Sequence, residues 1–340
     1  MKKLFRFLFL IILAITIGVV WLLFGSSTHF NESKKNFYIH TGSSFNDVVH
    51  GLEEQNILSG TALFTKLAAV TGYNDNTVKP GRYVISNGAS LFSILRKLKS
   101  GGQTTVDLVI TKLRTKEDLA KKIAANFECD SANVMKFLNS NDSLTTYDLD
   151  SNTVMTAVFP NTYNLFWNTS FSRIFKKLFT EHERFWTDER KKQAAAKGLT
   201  MVQAYTLASI IEEETRFDEE KSKIAGVYLN RIKTNMKLQA DPTIKFALKD
   251  FTLKRIYDGH INRSAESPYN TYTHLGLPPG PICTPSIKTI DIVLNAPATD
   301  YLYFVAQPNN SGLSNFASTY QQHSIYAKMY QRYLDSINIK

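Results

Sequence analysis

The chain has only two cysteines, Cys129 and Cys283, in 340 residues. No CxxC pair exists, so the ligands of a zinc ribbon and the dithiol of a thioredoxin-type centre are missing. Two readings of the cysteines stay open: one disulfide formed in an oxidising compartment, or two separate core thiols. No HExxH, GxSxG or GxxxxGK[ST] stretch occurs, which leaves zinc-peptidase, serine-esterase and P-loop chemistry without their motifs. The seven histidines are scattered with no i, i+4 pair. No metal-ligand cluster is visible, and neither metal nor cofactor is expected. Dense basic runs are also lacking. The net charge is +10, of which +4 sits in the first 36 residues, where Lys2, Lys3, Arg6, Lys34 and Lys35 stand against Glu32. So mild an excess elsewhere suits an anionic polymer or a membrane surface, and no nucleic-acid partner is expected. There is no internal repeat and no low-complexity tract.

What is present is a hydrophobic content of 43% with many Tyr and Phe, enough for folded cores. There is one long apolar run, residues 7–24, without a charge. As a helix it spans about 27 Å, close to the hydrocarbon thickness of a bilayer. Lys2, Lys3 and Arg6 precede it, so residues 1–6 are expected to stay cytoplasmic and the rest to be exported. The run exceeds the ~7–15 residues of a signal-peptide core, which favours a retained anchor, although Gly25, Ser26 and Ser27 are small enough for a cleavage site. Residues 25–35 read as a polar tether.

Residues 36–105 read as a small module. A strand over 36–40 is followed by a helix from Ser43 to about Gln55. A second helix is expected over 59–71 and a strand after Pro80-Gly81. The order is β-α-α-β, followed by a helix over 91–99. Residues 106–150 connect through a strand, two short helices and a polar Asp/Ser/Asn-rich stretch at 139–151. Residues 173–193 are helical with mixed charge, as on a solvated face. Residues 151–340 form the second large domain. The fold class expected is α+β, with a mixed α/β C-terminal domain behind one transmembrane helix.

The chemistry-bearing texture lies in 200–323. Residues 267–286, SPYNTYTHLGLPPGPICTPS, hold five prolines and two glycines among Tyr, Asn and Thr. A loop so rich in hydrogen-bonding groups is where a binding site tends to lie. The helix 201–214, MVQAYTLASIIEEE, ends on three glutamates. At ~100° per residue, Leu207, Ile210 and Ile211 fall within roughly 60° of Glu214. Met201, Tyr205 and Ala208 cluster around Glu212. Glu213 shares its side with Thr206 and Ser209 and should be the solvated one. An apolar setting and a helix C-terminus both raise a carboxyl pKa, which is what protonating a glycosidic oxygen requires. Periodicity alone leaves Glu212 and Glu214 equally eligible. It also leaves open a structural helix end whose glutamates pair with Lys221, Lys223 or Arg216. His274 and His323 are lone histidines, more often structural than substrate-contacting.

At these residues the chain resembles the MltG-type endolytic murein transglycosylases, the YceG-like family. The shared segments are ASIIEEET (208–215), Asn230-Arg231 with LQADPT (238–243), YNTY (269–272), GLPPGPI (276–282), TPS (284–286) and YLYFV (301–305). Residues 159–163, FPNTY, are similar to the family's aromatic-Pro-Asp-Thr-Tyr segment. Asn161 replaces its Asp. Near the C-terminus Phe316, Thr319 and His323 match, while Ser314 stands where the family often has His. The resemblance implies that Glu214 is the catalytic residue, acting as acid and then base. Glu212 would position or polarise it. Gln239, Asp241, Thr243, Asn270, Tyr272 and His323 would support the site or bind substrate. It further implies a LysM-like reading of the β-α-α-β module, peptidoglycan as substrate, the cell membrane as location and peptidoglycan synthases as partners. The rival expectations are a lysozyme-like hydrolase using Glu214 with Asp241, and a membrane-tethered glycan-binding scaffold without activity.

Overall fold

The computed structural model describes residues 2–28, 30–58, 60–309 and 311–337. Ser59, the expected first residue of the second module helix, lies outside the described residues. So do Met1, His29 of the expected tether, Asn310 and residues 338–340. The chain divides into two compact units. The first comprises residues 1–108, 124–129 and 164–170, and the second comprises 109–123, 130–163 and 171–340.

The first unit begins with α1 (Lys2–Phe24), which is apolar and exposed along its length. β1 (Lys34–Ile39), α2 (Phe45–Glu54), α3 (Ala62–Thr71) and β2 (Gly81–Ser86) follow in the expected β-α-α-β order, and α4 (Leu91–Ser100) closes the unit. β1 and β2 pair antiparallel, from Lys34 opposite Ser86 to Ile39 opposite Gly81. Alternation puts Phe37, Ile39, Tyr83 and Ile85 on the buried face. α4 carries Leu91, Ile94, Leu95 and Leu98 at helical spacing, and all four are buried in the same core as Val48, Leu52 and Phe64. Each such burial contributes about 1.5–3 kcal/mol. The caps are local: Ser44 and Asp47 form a capping box on α2, and Gly101 ends α4 with φ +76°.

The expected tether is not a free linker. Ser27 N donates to Ala89 O (3.0 Å), Gly88 N donates to Thr28 Oγ1 (2.8 Å), and β1 already starts at Lys34. Backbone groups satisfied in this way hold residues 26–28 against the β2–α4 turn.

β3 (Thr105–Ile110), α5 (Lys116–Asn126) and β4 (Asn161–Phe166) run across the division between the units. The second unit is mostly helical. It contains α6 (Ser131–Leu138), α7 (Asn141–Thr145), α8 (Phe171–Phe185), α9 (Asp188–Ala196), α10 (Met201–Glu214), α11 (Asp218–Lys233), α12 (Asp241–Ala247), α13 (Asp258–Arg263), α14 (Ile287–Leu294) and α15 (Tyr320–Ser336). A hairpin of β5 (Tyr303–Ala306) and β6 (Ser314–Ala317) precedes α15. The polar stretch at 139–151 therefore contains a short helix, and the helix expected over 173–193 breaks at Trp186-Thr187, where Thr187 caps α9. α10 is the central element: every residue from Ala204 to Ile211 is buried. It packs chiefly on α11 and α14.

Candidate active site

α10 is fixed at its start by a capping box, with Thr200 and Gln203 bonding each other's backbone N–H. Its last turn delivers Glu212, Glu213 and Glu214 in three directions. α11 then packs against α10. Asp218, Glu219 and Glu220 lie in its first turn and Arg231 and Lys233 in its last, which suits the helix dipole. That packing places Tyr228 beside Glu214, and its hydroxyl donates to Glu214 Oε1 at 2.6 Å.

Each glutamate has a different fate. Glu212 Oε2 accepts from Lys221 Nζ (2.9 Å), from Ser286 Oγ (3.2 Å) and from Thr289 Oγ1. Glu213, expected to be solvated, is only 15% exposed in its side chain and pairs with Lys112 (2.9 Å) and Arg114 (3.0 Å). Burial alone would raise its pKa, but those two cations bring it below the usual value. The reason for the difference is that α10 has no solvated side. Thr206 and Ser209, which share Glu213's side of the wheel, are themselves buried. Ser209 Oγ accepts from Ile282 N at 3.0 Å, so the Pro-rich segment covers that face.

Glu214 alone has no cation hydrogen-bonded to it among the described residues. Its pKa is raised to about 7. Burial is the main cause and the Asp241 carboxylate adds to it. The Tyr228 hydrogen bond and the more distant charges of Lys245 and Arg231 act against it. Burial and the neighbouring Glu214 push the Tyr228 hydroxyl far above its ordinary range, so it stays a donor.

The other expected site residues fall into a wall and a frame. Asp241 opens α12 with Pro242 behind it. Its Oδ1 accepts from the Tyr272 hydroxyl at 2.5 Å. Thr243 and Thr271 are buried and hold the α12 entry to the Pro-rich loop: Thr271 Oγ1 lies 2.9 Å from Thr243 Oγ1 and accepts from Ala240 N at 2.9 Å. Asn270 is fully buried. Its amide donates to Ile261 O and Ser264 Oγ, and its carbonyl accepts from Tyr272 N and Thr273 N. The whole capacity of that side chain is thus used, tying the loop to the end of α13. Gln239 is exposed, with φ +50°, a left-handed conformation that costs a residue with a Cβ about 1 kcal/mol. His323, on α15, stacks on Tyr303 at 5.2 Å, and the Arg231 guanidinium lies 5.5 Å over the same ring. Burial and Arg231 lower the pKa of His323, so the ring is neutral at neutral pH. His274 is exposed and contacts Ala265 O.

Tyr228 and Lys245 are neighbours of Glu214 that sequence reasoning did not single out, and Arg231 entered it only through the shared Asn230-Arg231 pair. Tyr228 and Arg231 are three apart on α11, one face of that helix, but only the packing of α11 on α10 reveals what that face meets. The cysteines are thiols: Cys129 Sγ donates to Thr169 O and the buried Cys283 Sγ to Ser209 O. Among the described residues no three His, Cys, Asp or Glu side chains converge in a metal-binding group. Chemically, the arrangement is a carboxyl whose pKa is raised to about 7, with one oxygen accepting from a phenol.

The family model described as the YceG-like family matches residues 37–329. The endolytic murein transglycosylase of Bacillus subtilis (strain 168) is 26% identical over 329 residues, covering 91% of this chain and 88% of that protein. The endolytic murein transglycosylase of Streptococcus pneumoniae serotype 2 (strain D39) is 25% identical over 313 residues. That match covers 84% of this chain but 56% of the pneumococcal protein. The crystal structure of the yceG-like protein lmo1499 from Listeria monocytogenes superposes with a TM-score of 0.55 at 26% identity, over 87% of this chain and 99% of that one.

Proposed function

This chain belongs to the YceG-like family, and from that premise we propose that it is a membrane-anchored lytic transglycosylase that cleaves peptidoglycan glycan strands endolytically, with Glu214 as its acid and base. The observation that carries the residue assignment is the state of Glu214: the only one of the three α10 glutamates without an ion pair, with a pKa raised to about 7 and one oxygen bonded to Tyr228.

The chemistry follows from that geometry. Tyr228 donates to Oε1, so the proton of neutral Glu214 sits on Oε2. It passes to the oxygen joining N-acetylmuramic acid to N-acetylglucosamine, and the C1–O bond breaks. The carboxylate, now charged, takes the proton of the muramoyl 6-hydroxyl. That oxygen bonds to C1 and closes a 1,6-anhydro ring. One group serves twice and no water is consumed, so no second carboxylate is required as nucleophile or water activator. Asp241 already accepts the Tyr272 hydroxyl, which supports it as an electrostatic neighbour and not a partner in bond breaking. Gln239, exposed in a strained conformation beside Asp241, suits a sugar hydroxyl.

The second unit thus carries catalysis. α1, whose stretch Lys3–Phe24 of 22 residues is long and apolar enough to cross a bilayer, is the anchor, with its N-terminus cytoplasmic. The β-α-α-β unit is LysM-like. Tethering beside nascent strands fits peptidoglycan synthases as partners. Mass analysis of muropeptide ends after digestion of purified glycan strands tests the reaction class. We expect 1,6-anhydro ends. Reducing ends would make the protein a lysozyme-like hydrolase, and intact strands would make it a scaffold.

A second expectation concerns the proton. Activity requires protonated Glu214, so kcat/KM should fall as pH rises through about 7. The Tyr228 hydrogen bond stabilises the carboxylate. Tyr228→Phe should therefore move that alkaline limb to higher pH while lowering the maximum about tenfold. A lower rate with an unmoved limb would show that Tyr228 is structural only.

A further inference from the structure

The β2–α4 turn and α4 form a second site of interest, in the first unit. Ser86, Asn87, Gly88, Ser93, Arg96 and Lys97 are among the residues lining a cavity of about 520 Å³. Its rim is cationic. Arg96 and Lys34 are exposed, and among the described residues their side chains carry no ion pair or hydrogen bond. Lys34 stands opposite Ser86 in the β-ladder. Lys97 Nζ donates to Val84 O at 2.6 Å. α4 contains no acidic residue, and Glu32 is the one carboxylate on the neighbouring 30–33 segment.

The same turn is where α1 ends. Phe24 and Phe92 rings are 5.2 Å apart. Ser26 bridges Ser90, Ser27 Oγ accepts from Leu91 N (3.2 Å), and Thr28 Oγ1 lies 3.2 Å from Asn87 Oδ1. Even the exit is tight: Gly25 N donates to Trp21 O at 2.7 Å, and a Cβ on Gly25 would stand 2.4 Å from that oxygen. Trp21 is 73% exposed one turn before the helix end, where an indole marks the bilayer interface. Arg96 lies four residues beyond Phe92 on α4, on the same side and about 6 Å further along.

These features place beside the end of the membrane helix, with no slack between them, a guanidinium without a partner among the described residues and a cavity whose lining mixes Ser86, Asn87 and Ser93 with Ile85, Ala89 and Ile94. We infer that the cavity of Ser86–Gly88, Ser93 and Arg96 binds the phosphate of an anionic phospholipid headgroup and so docks the first unit on the outer leaflet. The inference rests on the reading of α1 as a membrane anchor. Phosphate fits because Arg96 offers a planar donor fork, Ser86, Asn87 and Ser93 add polar groups at the same opening, and anionic headgroups lie within a Debye length of the interface.

The test uses the full chain in nanodiscs of phosphatidylcholine alone and of phosphatidylcholine mixed with phosphatidylglycerol. The readouts are hydrogen exchange across residues 84–100 and, in parallel, resistance of the membrane-bound chain to alkaline carbonate extraction. Exchange several-fold slower with phosphatidylglycerol, and a return to the phosphatidylcholine rate in Arg96→Glu but not in Arg96→Lys, is the expected result. Equal exchange in both lipids by an extraction-resistant chain overturns the lipid site while leaving the anchor standing. Slower exchange that survives Arg96→Glu overturns the assignment to this cavity. A chain released by carbonate removes the anchor and the lipid site together. Added inorganic phosphate that reproduces the slowing in phosphatidylcholine would assign the cavity to a free anion and overturn the lipid reading.

Discussion

Glu214→Gln should reduce cleavage of purified glycan strands by about 10³-fold or more, because one side chain supplies both proton transfers. The amide is the same size and still offers Tyr228 an acceptor, so the pocket keeps its shape while losing the transferable proton. The variant should fold at least as well as wild type at neutral pH, which separates a chemical loss from an unfolded protein. Asp241→Asn is the contrast. Asp241 pushes the Glu214 pKa up, so its neutralisation should bring the alkaline limb of the profile to lower pH and cause a smaller loss. If Glu214→Gln kept a tenth of wild-type turnover, the assignment of Glu214 would be wrong. If Asp241→Asn abolished cleavage outright, the two-carboxylate hydrolase would regain ground.

Glu212→Ala should cost about 3 kcal/mol of stability, since it takes the nearer carboxylate from a buried ammonium: Lys221 is 7% exposed in its side chain and is left with Thr289 and, 4.0 Å away, Asp218. For a domain of this size that is a fall in Tm of roughly 10 °C. Removing both charges together, as Glu212→Leu with Lys221→Met, should restore most of the loss, because replacing a whole buried pair is far cheaper than breaking it. A thermal melt of the single and double variants decides the matter. Where the single variant is still folded, its pH–rate profile should keep the wild-type limb. A shifted limb with an unchanged Tm would mean that Glu212 tunes the reaction and not the fold.

Much of this was readable from residue order. The β-α-α-β order was legible from local signals, among them the helix opening at Ser43 and the strand after Pro80-Gly81. The Pro-rich segment at 267–286 was recognisable as ordered because so few of its residues favour a regular element. The angular position of Glu214 among Leu207, Ile210 and Ile211 matches a helix side that is buried in the structure. What residue order could not convey is what covers a helix on its far side. Glu213 looked solvated because Thr206 and Ser209 are polar. In fact its partners, Lys112 and Arg114, come from about a hundred residues earlier. Tyr228 was invisible for the same reason: a tyrosine inside a helix says nothing about the neighbour it will face. The tether misled differently. Ser26, Ser27 and Thr28 are residues of flexible linkers, yet their hydroxyls and backbone are taken up by the 87–91 turn.

The burial of Glu214 also has a consequence for the protein as a folded object. Its carboxyl has a pKa of about 7 in the fold against 4.5 as the ordinary value. A group raised in this way favours the folded state below the lower value, and that contribution is lost as pH rises through the upper one. Folding therefore takes up a proton in that window, and the unfolded chain gains on the native one as pH climbs from about 4.5 to about 7. The raised carboxyl is therefore a group whose charge is a liability to the fold that carries it.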